Sequence, residues 1–129
     1  MLWAIFLVGV GGAFGSIFRF LISFFMVKYV SSSFPCGTLM VNLIGSFFIT
    51  FLSEIFISTS IDPNYRYLLI IGFLGGFTTL SSVTLDTFTL FKNGYLFLAF
   101  LNMMFNSILT LFSGFLGFVL AKFLLFRGV

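Results

Sequence analysis

The sequence predicts an all-α membrane protein with four transmembrane helices, the third of them broken near its middle. Three observations carry this. Only 7% of the 129 residues are charged and 60% are hydrophobic, whereas a soluble domain carries about 25% charged residues. Four apolar segments reach the roughly 20 residues that a bilayer crossing needs, with short polar breaks between them. Within the third, Gly72-Phe73-Leu74-Gly75-Gly76-Phe77-Thr78-Thr79-Leu80-Ser81-Ser82 places three glycines and four hydroxyl residues at membrane depth. Such residues loosen a helix, and non-helical backbone inside a membrane persists only where protein or a water-filled cavity satisfies it. Broken helices commonly turn carbonyls or helix ends toward an ion, so the segment points to an ion-handling site near the bilayer midplane.

The first span is expected over Leu2–Tyr29. No basic residue precedes it and it runs past signal-peptide length, so it is expected to be retained. Gly11 and Gly15 form a GxxxG pair, with Gly12 and Ser16 parallel to it. That spacing lets helix backbones approach closely and fits a dimer. A loop over Ser31-Ser32-Ser33-Phe34-Pro35 leads into the second span, Gly37–Ile57. Ser58-Thr59-Ser60-Ile61-Asp62-Pro63-Asn64 puts proline and polar residues in turn positions before the third span, Tyr67–Phe91. Lys92-Asn93-Gly94 is a short turn into the fourth, Tyr95–Phe126. No soluble domain fits in what remains, and residues 1–129 read as one membrane domain.

Histidine is absent and Cys36 is the single cysteine. An internal disulfide and an ordinary zinc or haem site are thereby excluded. Cys36 reads as a small residue at a loop or helix end. The net charge of +3 is too small and too scattered for nucleic-acid binding. No nucleophile–base set lies within a span, which argues against an enzyme. The 23 phenylalanines read as lipid-facing filler favoured by AT-rich coding.

An even number of spans puts both termini on one side, with Arg66, Lys122 and Arg127. The other side carries Lys28 and Lys92, plus Arg19 if it leans that way. Orientation follows asymmetry in this count, and almost none exists here. The chain is therefore expected to insert both ways and pair as an antiparallel dual-topology dimer, which also supplies the polar path that four helices alone cannot enclose.

Arg19 lies about 13 Å of helix rise from Lys28, at ~1.5 Å per residue. Charges so deep usually face protein or water. Arg19 is read as an electropositive vestibule for an anion; the alternatives are snorkelling or pairing with Asp86 or Glu54 of a neighbour. Asn42 sits inside the second span, where lipid offers its carboxamide no partner. Asn102, Asn106 and Thr110 recur at i, i+4, i+8 on one helical face. This stripe is either an interhelical hydrogen-bond seam or a track of donors along a pore. Only Asp86 and Glu54 could take up a proton in or near the membrane, and both lie toward helix ends. A proton-coupled pump keeps a carboxylate at midplane, while an anion path needs neutral donors that replace hydration. The balance favours an anion.

These residues resemble the Fluc (CrcB) family of fluoride channels over nearly the whole chain. The resemblance rests on the glycine-rich first span with Arg19, the run Gly37-Thr38-…-Val41-Asn42-…-Gly45, and Gly72-x-x-Gly75-Gly76-x-Thr78-Thr79. It implies a dual-topology dimer in the cell's inner membrane with two fluoride pathways. It also implies a structural sodium ion, not transported, held at the dimer centre by the carbonyls of Gly75 and Thr78 from each subunit. Asn42 matches the family's pore-lining asparagine, and Asn106 and Thr110 its polar track.

One departure matters. The family pattern continues Thr-Thr-Phe-Ser-Thr-Phe-Ser, where this chain has Thr78-Thr79-Leu80-Ser81-Ser82-Val83-Thr84, with Asp86 at the acidic position. In the family the two rings are thought to meet fluoride with their electropositive edges; Leu80 and Val83 have no such edge. Phe77 and Phe88 are not expected to substitute, being read as off that helical face. Three alternatives follow: a homodimer using Asn42, Thr79 and Ser81, a heterodimer whose paralogous partner supplies the rings, or a degenerate copy. From other classes, a small proton-coupled multidrug exporter would need a glutamate in the first helix, where this chain has Arg19. A non-transporting assembly subunit fits less well with polar residues aligned on one face.

Overall fold

The computed structural model describes residues 1–30 and 32–127, and Ser31 of the expected loop lies outside them. The regular structure of the described residues is all helical: α1 (Leu2–Tyr29), α2 (Cys36–Thr59), α3 (Pro63–Tyr65), a π-helical segment (Arg66–Leu74), α4 (Gly75–Phe77), α5 (Leu80–Lys92) and α6 (Leu96–Arg127). Taken as continuous runs, four of these stretches are long and apolar enough to cross a membrane: Leu2–Tyr29, Cys36–Thr59, Pro63–Lys92 and Leu96–Arg127.

The breaks follow local chemistry. After α2, Ser60 adopts a left-handed conformation (φ 53°). The chain then restarts with Pro63 in the first turn, where a missing N–H costs nothing, and the Asp62 carboxylate caps that turn by accepting from the Asn64 amide at 2.8 Å. Between α5 and α6, Gly94 takes φ 82°, a conformation that favours glycine. The reversal closes with the Tyr95 amide donating to the Leu90 carbonyl at 2.9 Å.

The helices pair in two layers. In one, α1 packs on the first half of the third span, both running the same way. Gly11 lies against the Leu68 carbonyl and Gly15 against the Phe73 carbonyl, so close that neither position admits a Cβ. A Cβ on Gly76 would fall 2.6 Å from the Gly12 carbonyl, and one on Gly72 would fall 2.9 Å from that of Val8. The Gly11/Gly15 stripe, read from sequence as fitting a dimer, is thus used within the chain. The glycines of the third span complete the fit, since backbone meets backbone where both helices lack side chains.

In the other layer α2 and α6 run side by side. Gly117 packs on the Phe47 carbonyl, the Thr50 hydroxyl donates to the Gly114 carbonyl at 2.6 Å, and the Ser113 hydroxyl donates to the Leu43 carbonyl at 2.8 Å. Near their shared end Lys122 pairs with Glu54. Many large apolar side chains, Phe20, Phe97 and Phe112 among them, stay exposed, as lipid-facing surfaces require. Cys36 opens α2, a helix-end position.

Candidate functional site

The third span leaves helical geometry at two residues. Thr78 (φ −76°, ψ 155°) and Thr79 (φ −156°, ψ 125°) are extended. Two hydrogen bonds account for the change of path. The Thr79 amide, which in an unbroken helix would bond the Gly75 carbonyl, donates instead to Asn42 Oδ1 at 2.8 Å. The Ser82 amide, which would bond the Thr78 carbonyl, donates to Thr79 Oγ1 at 3.1 Å, so Thr79 caps α5. Both diversions leave carbonyls, those of Gly75 and Thr78, without the amide partners a continuous helix would give them. Gly45 on α2 leaves room for the Thr78 methyl group, which packs against its Cα.

Asn42 is buried and faces this break. Its Nδ2 donates to the Thr79 carbonyl and to Asn106 Oδ1, both at 3.0 Å. Asn106 Nδ2 in turn donates to the carbonyl and the Oδ1 of Asn102, again at 3.0 Å. Asn102 reaches the Thr87 hydroxyl at 2.9 Å and the Val83 carbonyl at 3.3 Å. The asparagines of α2 and α6 therefore form one hydrogen-bonded chain ending on α5. Thr110 extends the stripe by donating to the Asn106 carbonyl.

Along this chain runs a groove of about 530 Å³ between α2, α5 and α6. Asn42, Thr79, Asn106 and Thr110 line it, and among the described residues no charged side chain does. Its wall also includes Ser46, Thr84 and Ser107, which the sequence reading did not single out. Ser46 was legible in principle, four residues after Asn42 on the same face of α2. Among the described residues the Ser46 and Ser107 hydroxyls make no hydrogen bond.

Other predicted residues fall elsewhere. Ser81 is exposed beside the groove, its hydroxyl 3.0 Å from that of Thr79. Arg19 is half-buried on α1 and lines neither this groove nor the polar cavity at the start of α2. Asp86 belongs to that cavity and accepts from the Thr38 hydroxyl at 2.6 Å. Within the chain, then, Glu54 and Asp86 have partners other than Arg19.

Leu80 and Val83 both line the groove; Leu80 is 78% exposed and Val83 only 5%. Phe88 lines it too, which corrects the expectation that it lies off their face. Positions 80, 84 and 88 are two successive i, i+4 steps and share one side of α5. Phe77 is buried in the other layer, stacked with Phe73 at a centroid distance of 5.9 Å.

A family model described as "CrcB-like protein, Camphor Resistance (CrcB)" matches residues 6–118. The chain is 48% identical over 118 residues to a protein of a Nitratiruptor species named "Fluoride-specific ion channel FluC", covering 92% of this chain and 91% of that one. It is 44% identical over 118 residues to the protein of that name in Parabacteroides distasonis, covering 92% of each. Identity to the protein of that name in a Sulfurihydrogenibium species is 39%, covering 91% of this chain and 95% of that one. With the match spanning all four membrane helices and the groove between them, the chain belongs to the CrcB family.

Proposed function

We propose that this protein is a fluoride-selective channel that lets the ion leave the cell passively, lowering its toxicity in the cytoplasm. The observation that carries the reading is the uncharged groove of hydroxyl and amide groups at Asn42, Thr79, Asn106 and Thr110. The relatives named as fluoride channels support it, since they match almost the whole chain. Fluoride is small, strongly hydrated and a strong acceptor. A path for it needs closely spaced neutral donors that replace water without the tight hold of a fixed cation. Down its electrochemical gradient the ion passes from donor to donor, with Ser81 beside the break. Arg19, which lines neither polar cavity within one chain, would raise its concentration only at a vestibule formed by the dimer. The nearly even charge count favours two copies inserted antiparallel in the inner membrane, which would close the open side of the groove.

A structural sodium ion fits the break. The Gly75 and Thr78 carbonyls have lost their helical amide partners to Asn42 and Thr79, and freed carbonyls at an unwound turn are ligands that suit a hard cation. Bound there, sodium supplies a fixed positive charge that braces two subunits and is not transported. Exchange of sodium for a large organic cation is expected to lower the dimer's thermal stability.

Leu80 and Val83 support a second reading, a half-pore subunit paired with a paralogue that carries both rings. Fluoride efflux from sodium-containing liposomes holding this chain alone separates the two. Rapid, fluoride-selective efflux supports a homodimeric channel. No efflux from a folded sample shifts the assignment to the heterodimer, and co-reconstitution with a ring-bearing paralogue should then restore it.

A further inference from the structure

We propose that Asn102, which does not line the groove, is a positioning residue for the fluoride path. It sets the amide orientation of Asn106 and, through it, of Asn42. The inference rests on the channel reading for its effect on flux, though not for its effect on the side chains themselves.

The argument is a count of hydrogens. Each carboxamide has two N–H donors, so Asn42, Asn102 and Asn106 supply six. All six are engaged: on Thr79 O and Asn106 Oδ1, on Asn102 O and Asn102 Oδ1, and on Val83 O and Thr87 Oγ1. The direction of the chain is fixed at both ends by groups that cannot reverse. At one end the Val83 and Asn102 carbonyls only accept. Thr87 can only accept from Asn102, because its own proton lies on the Val83 carbonyl at 2.7 Å. The Nδ2 of Asn102 must therefore face α5, its Oδ1 must face Asn106, and Asn106 must turn its Oδ1 to Asn42. At the other end the Thr79 amide only donates, so it requires Asn42 Oδ1. Flipping any one amide would set oxygen against oxygen or N–H against N–H.

Asn102 holds the inner end of this arrangement at 0% exposure. Because it is sealed, water cannot replace its bonds, and an unmade bond there keeps its full cost. One consequence reaches the groove. With every amide hydrogen engaged, the donors an ion meets first are hydroxyls, and the amides yield only by breaking a bond within the chain. Asn102→Leu removes the Oδ1 acceptor and frees one N–H of Asn106 to turn into the groove, where it would hold the anion longer.

Two readouts test this. In detergent micelles, side-chain amide exchange of Asn106 measured by NMR should be slow in the wild type and at least tenfold faster in Asn102→Leu. Unprotected Asn106 amide hydrogens in the wild type, or protection unchanged in the variant, overturn the proposal. In liposomes Asn102→Leu should slow fluoride efflux about tenfold, yet change it less than twofold when Asn106 is already leucine. Additive effects would mean that Asn102 acts on stability alone and not through Asn106. Asn102→Asp, with its carboxyl protonated, retains a carbonyl for Asn106 and one O–H for Val83 in place of the two hydrogens shared between Val83 and Thr87. It should stay within threefold of the wild type on both readouts, and a loss as large as leucine's overturns the proposal. If the wild type releases no fluoride, the homodimeric channel falls, while the exchange measurement still decides what Asn102 does.

Discussion

Asn42 grips Thr79 through two hydrogen bonds, its Oδ1 accepting the Thr79 amide at 2.8 Å and its Nδ2 donating to the Thr79 carbonyl at 3.0 Å. One side chain on α2 thus takes up the amide that the third span's helix gives up at this residue, and adds a second bond to the carbonyl of the same N-cap. The groove-lining asparagine is also a structural clasp. Asn42→Ala should therefore slow fluoride efflux and also lower stability by about 1–3 kcal/mol, the cost of leaving a buried amide unpaired. Paired efflux and thermal-unfolding measurements check this. Unchanged efflux would remove Asn42 from the path.

Ser46 and Ser107 line the groove with hydroxyls that make no hydrogen bond among the described residues. Their protons are free for a passing ion, whereas those of Thr84 and Thr110 are spent on helix carbonyls. Ser46→Ala and Ser107→Ala should each slow efflux several-fold. Stability should stay within about 0.5 kcal/mol, as for substitutions that remove no internal contact. A variant with full flux would show that its hydroxyl plays no part.

Leu80 and Val83, the positions where the resemblance implies phenylalanines, both line the groove. Leu80→Phe combined with Val83→Phe should raise the efflux of the homodimer by supplying two ring edges. Leu80 is largely exposed and can accept the larger side chain, while Val83 is buried, so the double variant should also unfold at a lower temperature. No gain in flux would mean that this groove conducts by an arrangement unlike the family's.

Gly15 lies in contact with the Phe73 carbonyl, and a Cβ there would also come within 2.9 Å of the Phe77 amide. Gly15→Val should pry α1 from the third span and destabilise the protein by about 1–3 kcal/mol or more. The same substitution at Gly9, where a Cβ meets nothing within 4 Å, should have little effect. Thermal unfolding of the two variants in one detergent makes the comparison.

The sequence by itself determined the membrane class and the four long apolar helices, because hydropathy and turn chemistry act over a few residues at a time. Pro63 with Asp62, and Gly94 after Asn93, announce their breaks locally in this way. The i, i+4, i+8 stripe of Asn102, Asn106 and Thr110 was equally visible, since helical periodicity alone puts the three on one face. Whether it was a seam or a pore track was not; the structure seals Asn102 in a hydrogen-bonded seam and sets Asn106 and Thr110 on the groove. The use of Gly11 and Gly15 against the third span depended on which helix lay opposite, and a GxxxG spacing carries no partner's address. The diversion of the Thr79 amide to Asn42 joins residues 37 apart in sequence. Only tertiary packing could decide it, because a backbone group chooses its partner by which acceptor the fold brings within about 3 Å of it.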